Sequence, residues 1–189
     1  MKKVCLFLLT SLLIQSAVAA DTWDDRRFRN MLRQELDMSC GAASIASLVR
    51  FYGGAALTEA DMLLLLAEIV PEQDQAAVLV DGFSLLHIKH ALQTLGLDLK
   101  AATTFNNQLV RFGSPALLQL KTQQGFHFVI WHGKHRGLHW VGDPSRGDMW
   151  LTDEELELEW TGIAAWVFKG GKKLPQANAR LLAQAWERR

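Results

Sequence analysis

The chain has 189 residues, enough for one domain with a sizeable core and short for two. Lys plus Arg equals Asp plus Glu at 20 each, so there is no basic surplus to neutralise a phosphate backbone, and nucleic-acid binding is disfavoured. Hydrophobic residues at 49% with only four prolines exclude a disordered or collagen-like chain.

Met1-Lys2-Lys3 is a positively charged start, residues 4–14 are an apolar run too short to span a bilayer, and Ala17-Val18-Ala19 is a small-residue cleavage box. Residues 1–19 are therefore expected to be a secretory signal peptide. Its removal takes Cys5 with it and leaves 18 basic against 20 acidic residues. The mature chain is expected in the periplasm or secreted, with no membrane span. Cys40 is then the only thiol, so an intrachain disulfide is impossible. Such a thiol pairs between molecules, stays free for chemistry, or serves as a small buried hydrophobe. The count alone leaves these open.

Trp23 to Leu36 reads as a partly helical surface segment. From Cys40 to Tyr52, small and apolar residues recur at helical spacing and Gly53-Gly54 closes the run, which puts Cys40 at a helix N-terminus. Thr58 with Asp61 starts a second helix that Pro71 stops, and a third runs from Ser84 to Leu95 before Gly96. After Gly96 the period changes to alternation. Ala116–Leu120, Phe126–Trp131 and Leu138–Val141 read as strands. Thr152 and Glu155 cap a short acidic helix, Gly162–Phe168 is a buried-looking strand, and a basic amphipathic helix ends the chain.

A thiol is mostly protonated at neutral pH and needs help to become a nucleophile; helix-terminal N–H groups and a neighbouring imidazolium supply it. Small Gly41 and Ala42 are expected to leave space beside the sulfur for a substrate chain. The base is chosen by hairpin arithmetic. If Phe126–His132 pairs with Leu138–Val141 through a Gly133–Gly137 turn, partner numbers sum to about 269, give or take two, and His127 falls near Gly142 and Asp143. A carboxylate beside an imidazole fixes its tautomer and orientation. Period two puts Val129 and Trp131 on the face of His127, with Phe126, Phe128 and Ile130 opposite. Read singly, His127 also fits a core histidine and Asp143 an Asp-Pro turn. His132, His135 and His139 invite a metal reading, but Gly133 and Gly137 break the helix that would align them. His87 and His90, three apart on a helix, suit a solvated face.

Gln34-Glu35-Leu36-Asp37-Met38-Ser39-Cys40-Gly41-Ala42-Ala43, the later Phe126-His127-Phe128-Val129, Gly142-Asp143-Pro144-Ser145-Arg146-Gly147 and Trp160-Thr161-Gly162 together resemble the C39-like cysteine peptidases, papain-like relatives of the bacteriocin-leader peptidases. The likeness runs from about Gln34 to Phe168. It implies Cys40 as nucleophile, His127 as base, Asp143 as its orienter and Gln34 as an oxyanion donor beside the Cys40 backbone N–H; a neutral amide suits that last role because it does not titrate. Ser39 stands directly before the cysteine where transporter-fused members usually carry Asp. The chain thus resembles the stand-alone exported members found with functional-amyloid secretion systems, and the likeness leaves double-glycine leader specificity open.

The expected architecture is α+β, papain-like, with N-terminal helices packed on a C-terminal antiparallel sheet. Residues 20–170 are expected to form the peptidase domain and 171–189 a basic helical tail. The expected activity is peptide-bond hydrolysis through an acyl-thioester, without metal or organic cofactor, on a protein or peptide partner such as an exported amyloid or secretion-system component. Alternatives are another thiol acyl-transfer enzyme, amidase or transglutaminase-like, and a weakly active or non-catalytic peptide-binding adaptor.

Overall fold

The computed structural model describes residues 22–123 and 125–188. The expected signal peptide lies outside them. Helix α1 (Trp23–Arg27) is capped by Thr22, and α2 (Cys40–Gly53) ends on Gly54 in the left-handed conformation, as the Gly53-Gly54 pair predicts. Helix α3 (Glu59–Ile69) carries the Thr58–Asp61 capping box, and α5 (Leu85–Thr94) starts at Ser84 with His87 completing its box. Between them stands α4 (Gln75–Asp81), a short helix without a side-chain cap that the sequence reading passes over.

Strand β1 (Leu97–Thr103) leads to a second unanticipated helix, α6 (Asn106–Phe112), and then to β2 (Ala116–Thr122), β3 (Gly125–His135) and β4 (Leu138–Asp143). Next come β5 (Gly147–Leu151), α7 (Asp153–Glu159) with its Thr152–Glu155 box, β6 (Trp160–Lys169), β7 (Lys172–Lys173) and α8 (Ala179–Glu187). The strands form one antiparallel sheet in the order β1-β6-β2-β3-β4-β5, with β7 beside β6. The fold is α+β, as expected.

Two cores lie on opposite faces of this sheet. On one, Ile45 and Leu48 of α2, Met62 and Leu66 of α3, and Ile88 and Leu92 of α5 pack with Leu117, Phe128 and Ile130. On the other, Leu109 of α6 and Leu156 of α7 cover Leu118, Val129, Trp131 and Val141. The expected alternation along β3 is present, and helices cover both faces of the sheet. Each fully buried Ile or Leu contributes about 1.5–3 kcal/mol, so α2, with Ile45 and Leu48 both at 0% exposure, is fastened firmly to the sheet. Helix α8 packs against β3 through its own apolar side, with Trp186 edge-on to Trp150 and His135.

The β3–β4 hairpin departs from the expected register. His135 pairs with Leu138 across a two-residue Arg136-Gly137 turn, with φ of 50° and 83°, and a bulge between Trp131 and Gly133 shifts the ladder. Partner numbers therefore sum to 272 where Ile130 faces Gly142, above the expected range.

Candidate active site

Cys40 is the first residue of α2 and is buried. The N-cap Ser39 makes no side-chain cap; its hydroxyl donates instead to Leu36 O at 2.7 Å, so it does not occupy the N–H groups of the first turn. The helix is held at a fixed height over β3. Ser44 Oγ donates to Phe128 O at 2.8 Å. A Cβ on Gly41 would lie 3.1 Å from Ile88 Cδ1 and 3.3 Å from Phe128 Cδ2. The space beside Gly41 is thus filled by the protein's own core rather than left for a substrate chain; absence of a side chain there serves close helix–strand packing.

His127 sits on β3 with its ring between two partners. Its Nε2 is 2.9 Å from Asp143 Oδ1, and the Cys40 side chain lies close enough to the same ring to act on its charge. Burial disfavours the imidazolium, but the hydrogen bonds and charges of Asp143 and Cys40 outweigh it and push His127 up to about 9. Asp143 is fully buried. Burial opposes its charge too, yet hydrogen bonds from His127, Ser145 and Arg146 hold the carboxyl well below the usual carboxylate range. Its Oδ1 also accepts from Ser145 N and Ser145 Oγ, both at 2.7 Å, and from Arg146 N at 3.1 Å. An Asx turn over Pro144 therefore builds the seat of this carboxylate.

Gln34 is half-buried in the same cleft. Its Nε2 donates to Leu36 O at 3.0 Å and, more weakly, to Asp37 O at 3.4 Å, while Oε1 is buried without a partner. The segment carrying it straps the Asp143 turn, since Gln34 N donates to Pro144 O at 2.9 Å and Arg27 Nη2 donates to Arg146 O. The cleft has a volume of about 930 Å³ and opens between Leu79 and Val80 of α4 and Phe126 and His127 of β3, with Arg146 and Glu159 at one side. Neither of these last two carries a role assigned from the sequence. Ser145 and Arg146 were legible as the residues after Asp-Pro, whereas Glu159 reaches the site only through the tertiary fold.

The other histidines serve elsewhere. His132 is buried with Nδ1 2.6 Å from Tyr52 Oη, His139 pairs with Asp153 at 2.6 Å and accepts from Trp131 Nε1, and His135 lies among the rings of Trp150 and Trp186. Among the described residues, no group of three or more His, Cys, Asp or Glu is arranged to hold a metal ion, and no helix is long and apolar enough to cross a membrane.

A buried thiol, an imidazole and a carboxylate stand together at one cleft, the set of groups that nucleophilic catalysis by a thiol calls for. Residues 29–172 match the peptidase C39 family, and the chain belongs to it. It is a cysteine peptidase. Two probable functional amyloid proteases named FapD are similar: one from Pseudomonas fluorescens is 28% identical over 83% of this chain and 67% of its own, and one from Pseudomonas aeruginosa is 30% identical over 74% and 60%. The chain thus spans about two thirds or less of these relatives. Among solved structures, a double glycine motif protease from an AMS/PCAT transporter, in complex with the leader peptide, superposes with a TM-score of 0.58 over 76% of this chain and 90% of that one at 22% identity. The peptidase domain of Streptococcus ComA gives 0.59 over 74% and 98%, also at 22%. At that identity these two support the fold.

Proposed function

We propose that the chain is an exported peptidase that cleaves a peptide bond in a periplasmic or secreted protein through an acyl-thioester at Cys40. The observation that carries this reading is the His127 ring held between Cys40 and Asp143 at the floor of an open cleft. Cys40 Sγ, as thiolate, attacks the scissile carbonyl carbon; a C–S bond forms and the carbonyl electron pair moves to oxygen. When that pair returns, the C–N bond breaks and His127 passes its proton to the departing amine. Water then attacks the thioester, His127 takes its proton, and the thiolate leaves.

Asp143 keeps the imidazole in the orientation both steps need. The oxyanion is met by the Cys40 N–H and by Gln34. One Gln34 amide proton is held by Leu36 O; the other, with only the 3.4 Å contact to Asp37 O, is the donor for this role. Residues 20–170 form the catalytic unit and 171–189 its tail. Residues 1–19, read as a signal peptide, support the exported location, and the likeness to proteins named functional amyloid proteases supports an exported amyloid or secretion-system component as substrate.

Mass spectrometry of exported proteins from cells carrying the wild type or Cys40→Ala tests this. A new protein terminus that requires Cys40 is expected. If none is found while both proteins are folded and exported alike, the reading is overturned.

A further inference from the structure

The two carboxylate oxygens of Asp143 meet different partners. Oδ1 meets His127 and the turn, whereas Oδ2 accepts from Arg146 Nε at 2.7 Å. Arg146 Nη2 reaches on to Glu159 Oε2 at 3.1 Å, so one guanidinium bridges the buried carboxylate of the β4–β5 turn and an exposed carboxylate at the end of α7. The fork of a guanidinium allows this, because Nε–H and Nη–H point in fixed and separate directions.

Between Arg146 and Glu159 alone the pair would contribute little. The two side chains are 41% and 43% exposed, and exposed ion pairs are worth about 0–1 kcal/mol. The contact with Asp143 is of another kind. That carboxylate is 0% exposed, and the torsion that turns it is broad and roughly two-fold. Arg146 also stands between Asp143 and the cleft. Other charged groups on the cleft walls are Asp37, Asp81, Lys121 and Glu159; among the described residues, Arg146 is the one besides His127 whose side-chain charge touches Asp143.

We propose that Arg146 is a positioning residue for His127, acting through Asp143: braced by Glu159, it takes up the outer carboxylate oxygen and so sets both the orientation of Asp143 and the share of its charge that reaches the imidazole. The proposal rests on the Cys40–His127–Asp143 reading above. It makes the strength of the orienting carboxylate depend on a cleft-wall pair rather than on the Asp-Pro turn alone.

The test follows the His127 imidazole directly, by carbon-13 NMR titration of the full chain, with the signal assigned by its loss in His127→Gln. Arg146→Gln keeps a donor and much of the cover over Asp143 but removes a positive charge, so the His127 midpoint is expected to rise by about half a pH unit or more. Arg146→Lys restores the charge and is expected to keep the midpoint near wild type. Glu159→Gln removes a negative charge and leaves Arg146 wholly on Asp143, so a smaller downward shift is expected. It also keeps the test open should Arg146→Gln fold poorly. A midpoint unchanged or lowered in Arg146→Gln, or shifted upward in Glu159→Gln, overturns the proposal. A different result would sink the underlying reading: a wild-type His127 midpoint that does not move in Cys40→Ala means the thiol and imidazole are not coupled, whatever Arg146 does.

Discussion

His127 and Asp143 meet across the end of the β3–β4 pair, 2.9 Å from Nε2 to Oδ1, without facing one another in the ladder. Extending the Ile130–Gly142 pairing by one step places Asp143 opposite Val129, so its reach to His127 is diagonal along one face of the sheet. Such a contact needs the carboxylate aimed, and the Ser145 and Arg146 hydrogen bonds aim it.

Asp143→Asn is therefore expected to reduce kcat/KM by about a hundredfold, less than the roughly 10⁴-fold loss in a serine triad because the cysteine nucleophile can be preformed as an ion pair. Asp148, at the other end of the same turn, bonds Asn30 Nδ2 at 2.7 Å and does not approach His127. Asp148→Asn should leave the rate within about threefold of wild type, the scale of a residue outside the reacting set. Rates are compared after thermal melts show both variants folded. Equal activities would break the assignment of Asp143 to the site.

Gln34→Ala should lower kcat by about a hundredfold, the typical effect of removing one oxyanion donor, with KM little changed. Steady-state kinetics on a cleaved peptide measure this. A rate near wild type would place Gln34 in the loop as a structural residue bonded to Leu36 O, with the oxyanion left to backbone N–H groups.

Gly41→Ala separates packing from chemistry. Alanine favours a helix by about 1 kcal/mol over glycine, yet its Cβ would press on Ile88 and Phe128 at 3.1 and 3.3 Å and lift the N-terminus of α2 from β3. Stability should change little while kcat falls by about tenfold or more, since small misplacements of reacting groups are costly. A melt unchanged with full activity would show that the Cys40–His127 distance tolerates the shift.

Two pH effects follow from the shifted groups. His127 is raised to about 9, so its contribution to stability is complete below about 6.5 and is lost as pH rises through 9, where activity should fall too. His132 runs the other way. Burial pushes it down to about 3, so the unfolded chain takes up its proton first and stability falls as pH drops below about 6.5 toward 3. Melts across pH should show this acid limb flattened in His132→Asn, even at a lower overall Tm. An acid limb of unchanged steepness would mean that another group is responsible.

Local chemistry made much of this protein legible from its sequence. The Gly53-Gly54 stop, the Thr58–Asp61 and Thr152–Glu155 boxes and the period-two run through His127 are each decided within a few residues, so α2, α3, α7 and the faces of β3 could be read directly. Cys40 at a helix N-terminus and the choice of His127 with Asp143 came with them. The tertiary structure decided what depends on distant partners. The two-residue Arg136-Gly137 turn and the bulge beside His132 set a register that hairpin arithmetic missed, because a bulge shifts pairing by whole residues without leaving a period in the sequence. Helices α4 and α6 carry no side-chain N-cap hydrogen bond and are too short for a clear periodicity, so packing rather than propensity holds them. The space beside Gly41 is taken by Ile88 and Phe128, which come from distant elements, and Glu159 meets Arg146 only because α7 packs on the far face of the sheet. Contacts between residues far apart in the chain are fixed by the packing of whole elements, and no short stretch of sequence records them.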